Sequence, residues 1–331
     1  MGILHAAIFN RVPGASLVAV AEQDSRVRSV ASKVLTKART FSSHQELLEQ
    51  ERPDVLVVTT PTYLHAAVIR DAVAAGTDIF CEKPIAPSYR EAVDLAALTS
   101  GRKTMAGFQK RFVPTFARAR QLVTERDALG EIVRIRGFAF LGDVFHATNS
   151  WRFQFAKGGG ALTEWGIHLA DLLLWFFGNL RIRAAFQRHP FSVEADDYTH
   201  CVFETSTGAL GTMDVSWSHR GTRLPELGLE IEGTTGSLSV TDDKLVLDLG
   251  KPSGPSGKGT TTIYRAQLED RVDFLLGFPE FFHEDRAFID SIVRQEQPPI
   301  PFAAATQVHR VLDEIRHLAT ASGGGENGAN P

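Results

Sequence analysis

Glu82, Lys83 and Pro84 stand in succession at the inner end of the apolar run "DIFCEK" over 78–83. An ammonium group is costly to withdraw from water, so a lysine there needs a partner or a task. A residue before proline is pushed toward extended geometry, which keeps Lys83 projecting from the strand end instead of rolling into a helix. The neighbouring apolar run ends in "TTPTYLH", so Thr59, Thr60 and Pro61 line the same strand-end crevice, and His65 starts the next helix. In a second cluster, "GGGALTEWGIHLAD" at 158–171, Glu164 and His168 lie four residues apart on one helical face, where a carboxylate can orient an imidazole. Asp171, one turn beyond His168, reads as a structural cap or ion-pair partner. A lysine, a histidine and a carboxylate suit proton transfer from an alcohol while a hydride leaves its carbon, but no side chain accepts the hydride.

Each of these residues also has a plain structural reading. Lys83 alone reads as a surface lysine paired with Glu82, and His168 as a satisfied core histidine. His65 can be a helix-terminal residue, Trp151 a core side chain, and Arg152 the partner of a nearby carboxylate. Met213, Val215 and Trp217 alternate along one strand face and read as core or subunit interface.

The elements that must position these groups come in two styles. From 17 to about 108, the Val- and Ile-rich runs 17–22, 54–60, 78–83 and 103–108 alternate with amphipathic helices beginning near 65 and 88, each ended by glycine. That pattern predicts a doubly wound parallel sheet. Beyond about 120, alternating segments at 132–144, 196–206, 208–218, 227–241 and 244–249 predict an open, mostly antiparallel sheet. One long helix over roughly 159–177 interrupts it, and helices over about 279–294 and 303–320 close the chain. The fold class is therefore α/β, a Rossmann-type sheet followed by an α+β domain. The domains expected are 1–120, 121–320 and a disordered tail at 321–331, with a mobile loop at 251–259.

The totals bound the partners. The chain has 331 residues, 43% hydrophobic and 22% charged, with a formal charge of −4. Neither nucleic acid nor an anionic membrane is attracted by such a balance. The longest apolar runs are too short to span a bilayer, and no export signal is visible. Two cysteines, Cys81 and Cys201, permit neither a disulfide framework nor a cysteine zinc cluster, which fits a reducing cytoplasm.

The run "TTPTYLHAAVIRDAVAAGTDIFCEKPIAPSYREA" (59–92), "GFQKRF" (107–112), "SWRF" (150–153), the "GGGALTEWGIHLADLLLWFFG" helix and "EDRAFIDSI" resemble the Gfo/Idh/MocA oxidoreductases, in family order and spacing, from about residue 2 to residue 320. The resemblance implies a Rossmann domain binding NAD, with NADP not excluded, and a second domain whose open sheet forms a homo-oligomer interface, as dimer or tetramer. It implies that Lys83 touches substrate and nicotinamide and that His168 is the acid or base on the substrate hydroxyl. By the same carry-over, Gly2, Thr60, Pro61, His65 and Glu82 approach the cofactor, while Arg111, Trp151 and Arg152 face nicotinamide or substrate. The lysine–proline bond of the motif is often cis, which is accessible only before proline. No metal is implied.

Two departures stand out. The family's carboxylate four residues before the histidine is an aspartate, and here it is Glu164, so its role is catalytic or confined to orienting His168. The chain also opens inside the glycine loop, at Met1 and Gly2, without the strand that sits centrally in the 3-2-1-4-5-6 order. Either the coding start lies further upstream, or the member has lost that strand and its best anion site. Glu22, at the end of the next strand, is expected on the ribose hydroxyls, favouring NAD, with Arg26 and Arg28 close by. The function expected is hydride transfer between nicotinamide and a hydroxyl carbon of a sugar, cyclitol or sugar derivative. The alternatives are a cofactor-free binding or regulatory protein, and a metal-dependent isomerase or lyase using Glu164, His168 and His200 or His219.

Overall fold

The computed structural model describes residues 1–125, 128–146, 150–222, 224–252, 257–270, 272, 274 and 277–323. Of the tail expected at 321–331, residues 321–323 continue the last helix and residues 324–331 lie outside the described residues, as does the centre of the expected 251–259 loop. The chain forms two compact units: Met1–Gln109 with Val272–Thr306, and Lys110–Arg271 with Gln307–Pro331 as far as these are described.

The first unit runs α1 (Gly2–Phe9), β1 (Ala19–Ala21), α2 (Ser25–Val34), β2 (Arg39–Phe41), α3 (His44–Glu51), β3 (Val55–Val58), α4 (His65–Ala74), β4 (Asp78–Glu82), α5 (Tyr89–Leu98) and β5 (Thr104–Gly107). Side-chain caps fix several helix starts: Asp24 accepts from the backbone of Arg26 and Val27, and Ser88 accepts from Glu91. All strand pairs here are parallel. They lie in two sheets, β1-β2 and β3-β4-β5. A cavity of about 670 Å³ is lined by both β1 and β3, at the place where a doubly wound order puts a central strand. Ile8, Ile69, Ile79, Phe80 and Phe288 are fully buried in this unit.

The second unit carries α6 (Pro114–Arg120), β6 (Ile132–Phe140), α7 (Ile167–Phe177), β7 (Leu180–Arg188), β8 (Tyr198–Thr205), β9 (Leu210–Ser216), β10 (Glu226–Gly233), β11 (Gly236–Thr241), β12 (Lys244–Leu249) and β13 (Gly259–Tyr264). Among the described residues these strands form one sheet in the order β13-β12-β11-β10-β6-β9-β8-β7. Every neighbour pair is antiparallel except β6-β9, which is parallel. Strict alternation along β8 buries Thr199, Cys201, Phe203 and Thr205. Met213, Val215 and Trp217 are buried as core, and the Trp217 indole donates to Asp197 Oδ1 at 2.8 Å. Helix α7 packs on β6 and β7, and α6 on β11 and β12.

Two closing helices complete the chain, α8 (Glu280–Val293) and α9 (Phe302–Gly323). Although α8 follows the large sheet in sequence, it clusters with the first unit and packs on α1. The helix expected over 159–177 is not uniform: residues Leu162–Gly166 take a π-helical turn before α7 begins at Ile167.

Candidate catalytic and cofactor-binding residues

In the first unit the ends of the parallel strands deliver polar groups together. Gly2, Glu22, Thr60 and Pro61 all line the 670 Å³ cavity. Helix α1 opens on Gly2 with no side-chain cap, so its first N–H groups keep their donor capacity. A Cβ at Gly2 would stand 3.0 Å from Thr59 Oγ1, a tight approach that glycine avoids. The Glu22 carboxylate accepts from the Asp24 backbone at 2.9 Å. Arg28 does not face outward: its guanidinium donates to the carbonyls of Glu22 and Gln23 at 2.6 and 3.1 Å.

Lys83 follows β4 and is joined to Pro84 by a cis peptide bond. Its backbone N–H donates to Glu82 Oε2 at 3.0 Å. The other carboxylate oxygen of Glu82 accepts from His5 Nε2 at 3.0 Å, and His5 Nδ1 lies 2.9 Å from Asp285 Oδ1. His5, Glu82 and Asp285 are 1%, 6% and 0% exposed, so this imidazole bridges two buried carboxylates. The rings of Phe80 and Phe281 flank it at 5.2 and 5.7 Å. Burial opposes a charge on His5, but the hydrogen bonds and charges of Asp285 and Glu82 prevail and raise its pKa to about 9. Burial also opposes ionisation of Glu82, and the His5 bond and charge, with Lys83, hold its carboxyl below the usual range. Asp285 is pushed up to about 6 by burial, against the pull of His5.

A stability prediction follows from that bridge. The folded pKa of His5 exceeds its ordinary 6.5, so its contribution is complete below that pH and is lost as pH rises through about 9. Asp285 acts in the same sense only between 3.8 and about 6, and Glu82 in the opposite sense only below 4.5. Urea unfolding across the alkaline window is expected to show a loss of about 3 kcal/mol. His5→Gln should flatten that slope, and an unchanged slope in the variant would contradict the assignment.

His65 is buried, with Nε2 2.7 Å from the Thr60 carbonyl and Nδ1 2.9 Å from the Pro84 carbonyl. It ties the loop after β3 to the loop carrying the cis proline. Burial lowers its pKa against the pull of those carbonyls.

The second unit holds the other group. Gly160, at φ +119°, brings the chain so close to Asp196 that a Cβ would lie 2.2 Å from Oδ1. Asp196 Oδ2 then accepts from the Leu162 backbone at 2.8 Å, anchoring the start of the π-helical turn. Arg316 of α9 donates to the Thr163 hydroxyl in the same turn. Glu164 sits within this turn, and its Oε2 accepts from Arg152 Nε at 3.0 Å, while Arg152 Nη2 donates to Asp143 at 2.9 Å. The guanidinium is therefore shared between two carboxylates, whose charges outweigh burial and raise its pKa further. His168, 3% exposed, stands in the first turn of α7 with the Trp165 ring 6.0 Å away. Glu164 lies in the π-helical turn and His168 in the first turn of α7, four residues further on.

Arg111 is committed to Asp171. Its Nε and Nη2 donate to the two carboxylate oxygens at 2.8 and 2.6 Å, and its guanidinium lies over the Trp175 ring at 5.7 Å. Burial raises the pKa of Asp171, and the Arg111 charge opposes that rise. Trp151 stands half-buried in a short 3-10 turn, Trp151–Phe153. His5, Asp196 and Arg316 were not singled out in the sequence, and Asp285 falls inside the "EDRAFIDSI" run without being singled out. Among the described residues no group of three or more His, Cys, Asp or Glu is placed to hold a metal ion. No helix among them is long and apolar enough to cross a membrane.

Comparison with known proteins agrees with this organisation. Residues 1–108 match an oxidoreductase family model with an NAD-binding Rossmann fold, and residues 116–239 match the GFO/IDH/MocA C-terminal domain. A D-xylose dehydrogenase of Paenarthrobacter nicotinovorans is 28% identical over 252 residues, covering 69% of this chain and 64% of that protein. An inositol 2-dehydrogenase of Leifsonia xyli is 29% identical over 183 residues, 54% of this chain and 51% of that protein. The chain thus spans between half and two thirds of the length of these relatives. Among solved structures, an oxidoreductase domain protein from Kribbella flavida superposes with a TM-score of 0.87 at 26% identity, covering 97% of this chain and 95% of that one. A levoglucosan dehydrogenase in complex with NADH and levoglucosan has the same fold, with a TM-score of 0.87 at 22% identity over 97% and 94% of the two chains. With both domain models matched in order, the chain belongs to the Gfo/Idh/MocA family of oxidoreductases.

Proposed function

We propose that the chain is an NAD-dependent dehydrogenase acting on a hydroxyl-bearing carbon of a sugar, cyclitol or sugar derivative. The observation that carries this reading is the placement of Glu22, Thr60 and Pro61 just past the ends of parallel strands β1 and β3, lining one cavity with Gly2, in a domain matched to an NAD-binding family. These residues fit a dinucleotide: the uncapped start of α1 suits a pyrophosphate, and the Glu22 carboxylate suits ribose hydroxyls. Glu22 also repels a 2′-phosphate, and Arg28, tied to backbone carbonyls, is not free to receive one. Bound NAD supplies the hydride acceptor that side chains lack.

The protein's own residues manage the proton. Lys83 binds and polarises the substrate hydroxyl, and His168 takes its proton as the hydride departs. Glu164, held by Arg152, serves as a positioning residue for the turn that leads into His168. His65 and Glu82 steady the two loops beside Lys83. Trp151 is assigned to the nicotinamide side, and Arg111 and Arg152, through their carboxylate pairs, shape the substrate side. The open sheet is assigned to homo-oligomer contact.

D-Xylose, inositol and levoglucosan, named for relatives, are the first substrates to test. Incubation of the purified chain with NAD⁺ and each compound should produce NADH absorbance with at least one of them. A folded protein that reduces no NAD⁺ with any of the three, or with a wider polyol panel, would overturn the reading.

A further inference from the structure

The geometry points to His5 and Asp285 as positioning residues that fix Glu82, and through it the backbone of Lys83, in the orientation needed for turnover. The inference rests on the reading that Lys83 acts on substrate. Three elements remote in sequence meet here: α1 supplies His5, β4 ends in Glu82, and α8 supplies Asp285. His5 and Asp285 are separated by 280 positions, yet both Asp285 oxygens lie within 2.9–3.0 Å of His5 Nδ1. With Nδ1–H aimed at Asp285, the ring plane is set, and Nε2–H is aimed at Glu82 Oε1. Glu82 is then left one way to turn: its second oxygen receives the Lys83 N–H. The chain Asp285–His5–Glu82–Lys83 thus reaches the peptide unit that carries the lysine side chain.

Burial makes the arrangement demanding. Glu82 and Asp285 are buried, so removing the imidazole would leave Asp285 and Glu82 Oε1 without this donor. Aromatic rings around His5 exclude other orientations of the ring. A bridge built only for stability could end at Glu82; this one ends on the residue next to it, Lys83.

The test uses the full chain and two near-isosteric variants, His5→Gln and Asp285→Asn, assayed well below their melting temperatures. With NAD⁺ and the panel sugar that wild type oxidises, kcat is expected to fall about 10- to 100-fold while KM and the NADH dissociation constant change less than about threefold. Independently of turnover, acylation of Lys83 by acetic anhydride, read by peptide mass spectrometry without cofactor, should change rate at least about threefold. A folded variant with kcat and Lys83 reactivity within about twofold of wild type would overturn the inference, as would failure of both variants to fold, which would assign the bridge to stability alone. Lys83→Met separates the two readings: if it keeps wild-type turnover, the catalytic reading fails; if it is inactive while the His5 and Asp285 variants are normal, only the positioning role fails.

Discussion

Lys83→Met and His168→Ala are each expected to lower kcat by about 10²- to 10⁴-fold while leaving the fold intact, the loss typical of removing a positioned acid–base group. Methionine matches the lysine stem in length but carries no charge, so the variant removes the ammonium without opening a large cavity. The bonds of Glu82 to His5 and to the backbone N–H of residue 83 remain available in that variant, while the Lys83 charge that helps hold the Glu82 carboxyl down is lost. His168→Ala acts in the other unit, in the first turn of α7, where the anchors of the preceding turn at Asp196 and Arg316 remain. Circular dichroism and melting curves check the fold, and steady-state NADH production checks turnover. Wild-type rates in both variants would sink the assignment.

The second large effect concerns Arg111→Ala. Its partner Asp171 is fully buried, and both carboxylate oxygens receive donors from the one guanidinium. Deleting the arginine leaves an uncompensated buried carboxylate, a loss of about 3–5 kcal/mol read as a lower denaturation midpoint. Burial already pushes the Asp171 carboxyl up, so without Arg111 the group should take up a proton, and the deficit should shrink at acid pH. Replacing both partners, Arg111→Met with Asp171→Leu, should recover most of the stability, because the expensive state is the broken pair. Asp171 lies one turn from His168 on α7, so the single variant should also reduce kcat. An Arg111→Ala protein as stable as wild type would show that the pair is not what holds this helix.

Much of this was legible in the sequence, for physical reasons that differ by element. Strands β3, β4 and β5 are continuous apolar runs, as strands buried on both faces must be, and they fall inside the segments expected for them. β12 matches residue for residue, since "KLVLDL" alternates cleanly between core and solvent. β2 has only the three residues "RTF", too few for any period to emerge. β7 begins two residues after a glycine-ended apolar helix, and a register shift between Ile182 and Ala184 and the exposed Phe186 break its alternation. β13, "GTTTIY", follows a glycine- and serine-rich stretch and offers almost no apolar face.

The candidate site was legible where chemistry sits in one short motif and illegible where tertiary contact sets the geometry. The Glu-Lys-Pro run gave Lys83 and the cis proline bond together. The π-turn could not be read from spacing, because it is fixed by Asp196, thirty-four residues away from Leu162, and by the close approach at Gly160. Likewise, the pairing of His5 with Asp285 cannot be read locally, although Asp285 falls in the "EDRAFIDSI" run. The pairing of Arg152 with a nearby carboxylate and of Asp171 with a cation is what their plain readings allow, but which groups pair, Arg111 with Asp171 and Arg152 with Glu164 and Asp143, comes only from the fold.

Nicotinamide binding is the property on which the dehydrogenase reading depends most directly. Calorimetric titration of NADH and NADPH into the purified chain, with folding verified in the same sample, should give micromolar binding of NADH and weaker binding of NADPH, as the Glu22 carboxylate dictates. Absence of heat from both nucleotides in folded protein would contradict it.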